Sequence, residues 1–366
     1  MEIPKKQGYL NNISLLRVFA ILIVVLGHSM VVYQYNWGIY TPLIKSSFFN
    51  SLKNYIDIFQ MPLFIFISGY MFYYCRRECG KYKNTSKFSF DKTKRLLVPY
   101  LCVSILYVLP IRMLTNYKAY SDNNALEVFY KYILTGLDSG HLWYLIAIFE
   151  IFIVFYLFEP IINKLGTPAS FIIIACANII SYKFPHVFQI STSIHYFMFF
   201  YLGYIIRKNE KAFAYEFKGN RNIILISASF ILQFLLLIIS LKISNNNLIC
   251  TLSKNLVYLF SNISSAIFYF LALSTISFKY KSLNSNKILK FLDKESYAIY
   301  LFHSPLIYIM LKYIANKNIS PFIVVPSFFV IILFGSLGIS YIIKKTQILK
   351  FMIGASTTKK HSTISS

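Results

Sequence analysis

Charged side chains are scarce in this chain. Asp, Glu, Lys and Arg make up 14% of its 366 residues, where a soluble globular domain carries about a quarter. That deficit excludes an ordinary soluble fold. Acid is scarcer still, with 13 Asp and Glu against 37 Lys and Arg and a formal net charge of +24. Cysteine is sparse and odd in number. Cys75, Cys79, Cys102, Cys176 and Cys250 are scattered, which argues against a disulfide framework. Cys75 and Cys79 lie four apart beside a basic loop, but no second pair completes a zinc site, so both read as free thiols. No Pro- or Gly-rich linker and no evident repeat divides the chain.

What the chain has in abundance is hydrocarbon. Hydrophobic residues reach 57%, and the mean hydropathy is +0.56. They come in blocks of about 20, the length that crosses about 30 Å of bilayer core. Ten blocks read as spans, at about 13–35, 55–75, 96–114, 142–159, 168–183, 194–206, 223–241, 256–277, 296–311 and 322–343. The expected fold is all-α, a polytopic membrane bundle of about ten transmembrane helices. One membrane domain would cover 1–345, and a short Ser/Thr-rich cytoplasmic tail, 346–366, is expected to be disordered. No small-residue cleavage motif follows the first block, so it reads as a span and not as a removable leader.

The basic residues sit in the loops. With a cytoplasmic N-terminus, 26 of the Lys and Arg fall on the cytoplasmic side and nine outside, eight of the 26 lying between Arg76 and Arg95. This bias puts both termini in the cytoplasm. Headgroups and orientation explain charge placed this way, and nucleic acid is not an expected partner.

Some ionisable groups lie within the spans. "LRVFAILIVVLGHS" (Leu16–Ser29) carries Arg17 and His28. Eleven residues turn an α-helix by about 1100°, so the two share a face about 16 Å apart. Such groups are expensive in a membrane and functional by default. "MPLFIFISGY" (Met61–Tyr70) puts Pro62, Ser68 and Gly69 inside the second span, loosening the backbone and permitting close approach. "DKTKRLLVPY" (Asp91–Tyr100) puts Lys92, Lys94 and Arg95 just before the third span, as a phosphate grip or a positive-inside anchor. "GHLWYL" (Gly140–Leu145) places His141 and Trp143 at the outer start of the fourth, where Trp143 also suits an interfacial belt. "SYAIYLFHSP" (Ser296–Pro305) places His303 about halfway along the ninth.

Together these segments resemble the acyltransferase-three family of integral membrane carbohydrate O-acyltransferases of bacteria. Arg17 and His28 match its R-x10-H signature in the first helix. The stretches "PLFIFISGY", "KRLLVPY", "HLWYL" and "SYAIYLFH" match its other blocks in order, from about residue 11 to about residue 343. The resemblance implies transfer of an acyl group, most often acetyl, from acyl-CoA to a hydroxyl of a cell-surface carbohydrate or lipid-linked sugar. It implies a multi-pass protein of the bacterial cytoplasmic membrane. It implies catalytic roles for His28 and Arg17, acyl-donor contacts for Arg95 and Lys92, and support from Ser68, Gly69, His141, Trp143 and His303. No metal and no permanently bound cofactor is implied; acyl-CoA, in the first place acetyl-CoA, is a co-substrate. The partners would be acyl-CoA, a carbohydrate or glycolipid acceptor and the lipid bilayer. One departure concerns the family's R-x-x-R, which here reads Lys92 and Arg95. Lysine meets a phosphate as a point charge without the bidentate fork of arginine.

In physical terms, the basic block would hold the phosphates of CoA at the cytoplasmic side. His28 would act as general base on the acceptor hydroxyl. His141 or His303 would stabilise the oxyanion. A covalent relay through an acylated His28 stands beside direct transfer. The alternative function is an exporter or flippase of a polysaccharide or glycolipid, although no paired broken helices or inverted repeat favours it.

Overall fold

The computed structural model describes residues 11–210, 220–244, 247–314 and 317–354. Among the described residues, ten main helices follow one another: α1 Asn11–Ser29, α2 Ser47–Tyr73, α3 Thr85–Leu114, α4 Trp143–Leu165, α5 Thr167–Ile180, α6 Ile190–Lys208, α7 Asn220–Lys242, α8 Leu248–Lys279, α9 Lys287–Ile314 and α10 Pro321–Ile343. No strand occurs among the described residues. The fold is an all-α membrane bundle, and each expected block coincides with one of these helices. By length and composition, seven of them (α1, α2, α3, α4, α7, α8 and α10) can cross a membrane.

The boundaries differ from the hydropathy blocks where capping intervenes. α1 ends at Ser29 and gives way to a 3-10 turn, Val31–Tyr33. α3 begins well before residue 96, because Asn84 Oδ1 accepts the Lys87 amide at 2.9 Å and caps it. Lys92, Lys94 and Arg95 therefore lie inside α3 and not ahead of it. Around them the helix widens into π turns at Thr93–Leu97 and again at Ser104–Val108, a distortion frequent at functional sites.

α1 is the hub, packed against α2, α8, α9 and α10. A helix enclosed on all sides is apolar all round, which explains the unbroken aliphatic run between Arg17 and His28. α2 and α6 touch backbone to backbone. A Cβ on Gly69 would lie 1.9 Å from the Phe200 carbonyl oxygen, and one on Gly203 would lie 2.0 Å from that of Phe66. Only small residues permit this approach. At the periphery, α7 turns Ile223, Ile224, Leu232 and Leu235 outward, as a lipid-facing helix does.

Within the segment read as the tail, Gln347–Met352 forms a short helix, α11, capped by Thr346 Oγ1, which accepts the Leu349 amide at 3.3 Å. Local capping gives this stretch structure that hydropathy does not announce. The Ser/Thr-rich stretch 355–366 lies outside the described residues, as do residues 1–10 with Lys5 and Lys6, and 211–219.

Candidate active site

Three histidines from distant parts of the chain meet in the bundle. The rings of His28 (α1) and His303 (α9) have centroids 4.8 Å apart, and those of His303 and His141 5.0 Å apart, both pairs edge to face. His303 is fully buried. Its Nδ1 lies 2.7 Å from the Tyr300 carbonyl and 3.2 Å from that of Ile299. Carbonyls only accept, so Nδ1 carries the proton and Nε2 is a bare lone pair. That Nε2 is buried with no hydrogen-bond partner among the described residues.

His141 is fixed by a proline. Pro305 lies inside α9 and has no N–H to give the carbonyl four residues back. That carbonyl belongs to Leu301, and it takes His141 Nε2–H instead, at 3.0 Å. The Tyr300 hydroxyl donates in turn to the His141 carbonyl. The "YLFHSP" stretch thus frames both histidines. Among the described residues, no three His, Cys, Asp or Glu side chains converge to hold a metal ion.

A cavity of about 320 Å³ opens beside this cluster, between α1, α2, α3, α4 and α9. Its charged end carries Arg17, Lys92, Arg95 and Lys294; Ser68, Tyr144 and Tyr300 also line it. Arg17 is tied to Asp293 at 2.5 Å. Lys92 is buried, with Nζ 3.3 Å from the centre of the Phe152 ring. Among the described residues neither Lys92 nor Arg95 has a carboxylate partner. A buried ammonium without an anion is costly, and ring faces compensate only in part. The aromatic wall leads inward: Ser68 Oγ is 3.2 Å from the Tyr144 hydroxyl, Tyr144 and Tyr300 have centroids 5.4 Å apart, and Tyr300 and His303 6.0 Å.

Of the candidates from sequence, the structure brings His28, His141 and His303 together, and gathers Arg17, Lys92, Arg95 and Ser68 around one cavity. Gly69 serves the α2–α6 contact and does not line that cavity. Trp143 points elsewhere, stacked on Tyr196 at 5.2 Å. Lys94 lies over the Phe351 ring of α11.

Sequence reasoning missed Asp293, Tyr144, Tyr300 and the role of Arg112. Arg112 is almost fully buried in α3. It donates to the Tyr120 hydroxyl at 2.9 Å and pairs with Asp138 at 3.1 Å. Gly140, at φ +54°, passes directly over it, and a Cβ there would lie 2.3 Å from Arg112 Nη2. Arg112 therefore pins the segment that presents His141. Its signal was available, since it is a charge within a span. Asp293 had a weaker one, as one of few acids, just upstream of "SYAIYLFHSP".

Fold and site together define a multi-pass membrane protein with a histidine cluster next to Tyr300, a wall residue of a basic cavity. The chain belongs to the acyltransferase-three family: that family's model, an acyltransferase domain, matches residues 10–345, nearly the whole length. The protein is thus a membrane acyltransferase. No curated protein and no solved structure gives a match.

Proposed function

We propose that this protein transfers an acyl group, in the first place acetyl, from acyl-CoA to a hydroxyl of a cell-surface carbohydrate or lipid-linked sugar. The observation that carries this reading is the buried, carboxylate-free Lys92 beside Arg95 in the wall of a cavity that is also lined by Tyr300, whose ring centre is 6.0 Å from that of His303. The one carboxylate lining that cavity, Asp293, is tied to Arg17; Lys92 and Arg95 are left without an anion, and the phosphates of CoA supply it. The thin thioester arm then follows the Tyr144–Tyr300 wall inward. The 26-to-9 bias of basic residues supports a cytoplasmic donor side, with both termini inside and the bundle in a bacterial cytoplasmic membrane.

In this reading, His28 takes the proton of the sugar hydroxyl as its oxygen attacks the thioester carbonyl. The carbon–sulfur bond breaks, and the imidazolium returns the proton to the departing thiolate. His303 positions His28 by packing edge-on against its ring, and its bare Nε2, without a partner among the described residues, would accept a His28 N–H when the rings draw closer in the reacting complex, leaving the other His28 nitrogen for the hydroxyl. Lys92 departs from the family's arginine and contributes charge without a fork; Arg95 keeps the fork.

The test is detergent-purified protein given acetyl-labelled acetyl-CoA and membrane vesicles from producing cells, which contain the native acceptor. The expected result is free thiol together with alkali-labile label in the carbohydrate fraction. Thiol release no faster than in a protein-free control overturns the reading.

A further inference from the structure

The first turn of α4 separates two cavities of opposite character. Successive helical residues point about 100° apart, so Tyr144 lines the basic cavity while Trp143 lines a second one. This second cavity, about 620 Å³, lies between the Leu137–Trp143 segment, the Ser181–Gln189 connection and the start of α6. His141, of the histidine cluster, sits in the sequence between two of its lining residues, Gly140 and Trp143.

Its lining suits an uncharged, hydroxyl-rich ring. Trp143 and Tyr196, stacked at 23°, supply an aromatic wall, on which the C–H face of a sugar packs. Asp138 is the one acid there, and its charge is already met by Arg112 through Oδ1. Its Oδ2 is buried without a hydrogen-bond partner among the described residues, and an orphaned acceptor of that kind calls for an O–H donor. His195 Nδ1 takes the Asn178 amide at 3.4 Å, which leaves the ring proton on Nε2 as a donor. Gln189 is held rigid, its amide donating to the Gly136 carbonyl at 2.6 Å and its oxygen accepting from Thr192 at 2.8 Å. Phe188 and Gln189 are consecutive non-glycine residues in left-handed backbone, at φ +55° and +65°, the kind of strain that gathers at ligand sites.

We infer that this second cavity is the acceptor subsite, and that it takes a neutral sugar ring, with Trp143 as platform and Asp138 Oδ2 receiving a hydroxyl. The inference rests on the acyltransferase reading above. Donor and acceptor then enter on the two sides of the first turn of α4, in cavities matched to their chemistry: four cations with a single acid, Asp293, for phosphates on one side, and an aromatic wall with polar groups for a polyol on the other.

The experiment measures, in the same vesicle assay with acetyl-labelled acetyl-CoA, the apparent KM for the acceptor, by varying the amount of vesicles, beside the apparent KM for acetyl-CoA. Three variants are compared: Trp143→Leu, Trp143→Phe, and Leu137→Trp, which plugs the cavity from its exposed rim. Trp143→Leu and Leu137→Trp are expected to raise the acceptor KM at least tenfold and to keep the acetyl-CoA KM within about twofold, with Trp143→Phe close to wild type. A purely structural Trp143 would lower kcat and leave the acceptor KM where it was. An acceptor KM equal to wild type in both Trp143→Leu and Leu137→Trp overturns the acceptor assignment. An inactive wild type overturns the acyltransferase reading instead, so the two failures are told apart.

Discussion

His303 lies edge-on to His28 with ring centroids 4.8 Å apart, and its unprotonated Nε2 is buried beside that ring with no donor of its own. A bare nitrogen in that position destabilises the fold unless it is used. Replacing His303 by Phe fills the volume and removes the lone pair. The variant is expected to insert normally, to melt no lower than wild type, and to lose about tenfold or more in kcat, within the range of a removed acid–base partner. KM for acyl-CoA should stay within about twofold. Full activity in His303→Phe means that the ring only packs.

Lys92 and Arg95 are predicted to act on the donor and not on the fold. Lys92→Met keeps the length of the side chain over Phe152 and removes a buried charge that no carboxylate meets. Thermal stability should hold or rise, while the apparent KM for acyl-CoA climbs more than kcat falls. Arg95→Ala should do the same, and Arg95→Lys should recover part of the loss. A donor KM that does not move in any of the three makes the block a membrane anchor.

Arg17 has two tasks that a double variant separates. It closes an ion pair on Asp293, whose side chain is 8% exposed. Arg17→Ala takes the guanidinium away from that carboxylate and should lower both melting temperature and activity. Adding Asp293→Ala should restore most of the melting temperature but not the activity, if the guanidinium also meets the donor. Recovery of both assigns Arg17 to the ion pair alone.

Hydropathy made the bundle legible, because a bilayer demands apolar blocks of fixed length whatever the partner helices are. The site was legible where the membrane makes polarity costly: Arg17, His28 and His303 stand out in apolar surroundings. What could not be read was which helix meets which. Lipid-facing and buried aliphatics look alike in sequence, so the meeting of His28, His141 and His303 waits for tertiary structure. Gly69 shows the same limit, since a glycine beside a functional serine and a glycine against a facing backbone carry the same letter. The Pro305–Leu301–His141 link needed the geometry too, although the vacated carbonyl follows from the proline by simple counting.

Orientation is tested from outside. Lys83, on the connection from α2 to α3, and Lys87, in the first turn of α3, are both exposed. With a probe cysteine at either position, in a chain lacking its native cysteines, an impermeant maleimide should label permeabilised cells and spare intact ones. Labelling of intact cells contradicts a cytoplasmic donor side.

The central claim is that His28 moves a proton during acyl transfer, and the most direct measurement is turnover of His28→Gln. Glutamine keeps hydrogen bonding and comparable bulk but cannot take the proton. Acetyl transfer per milligram of monodisperse, detergent-purified protein should fall by about a hundredfold or more in kcat, no better than in His28→Ala. Near-normal turnover in His28→Gln contradicts the account.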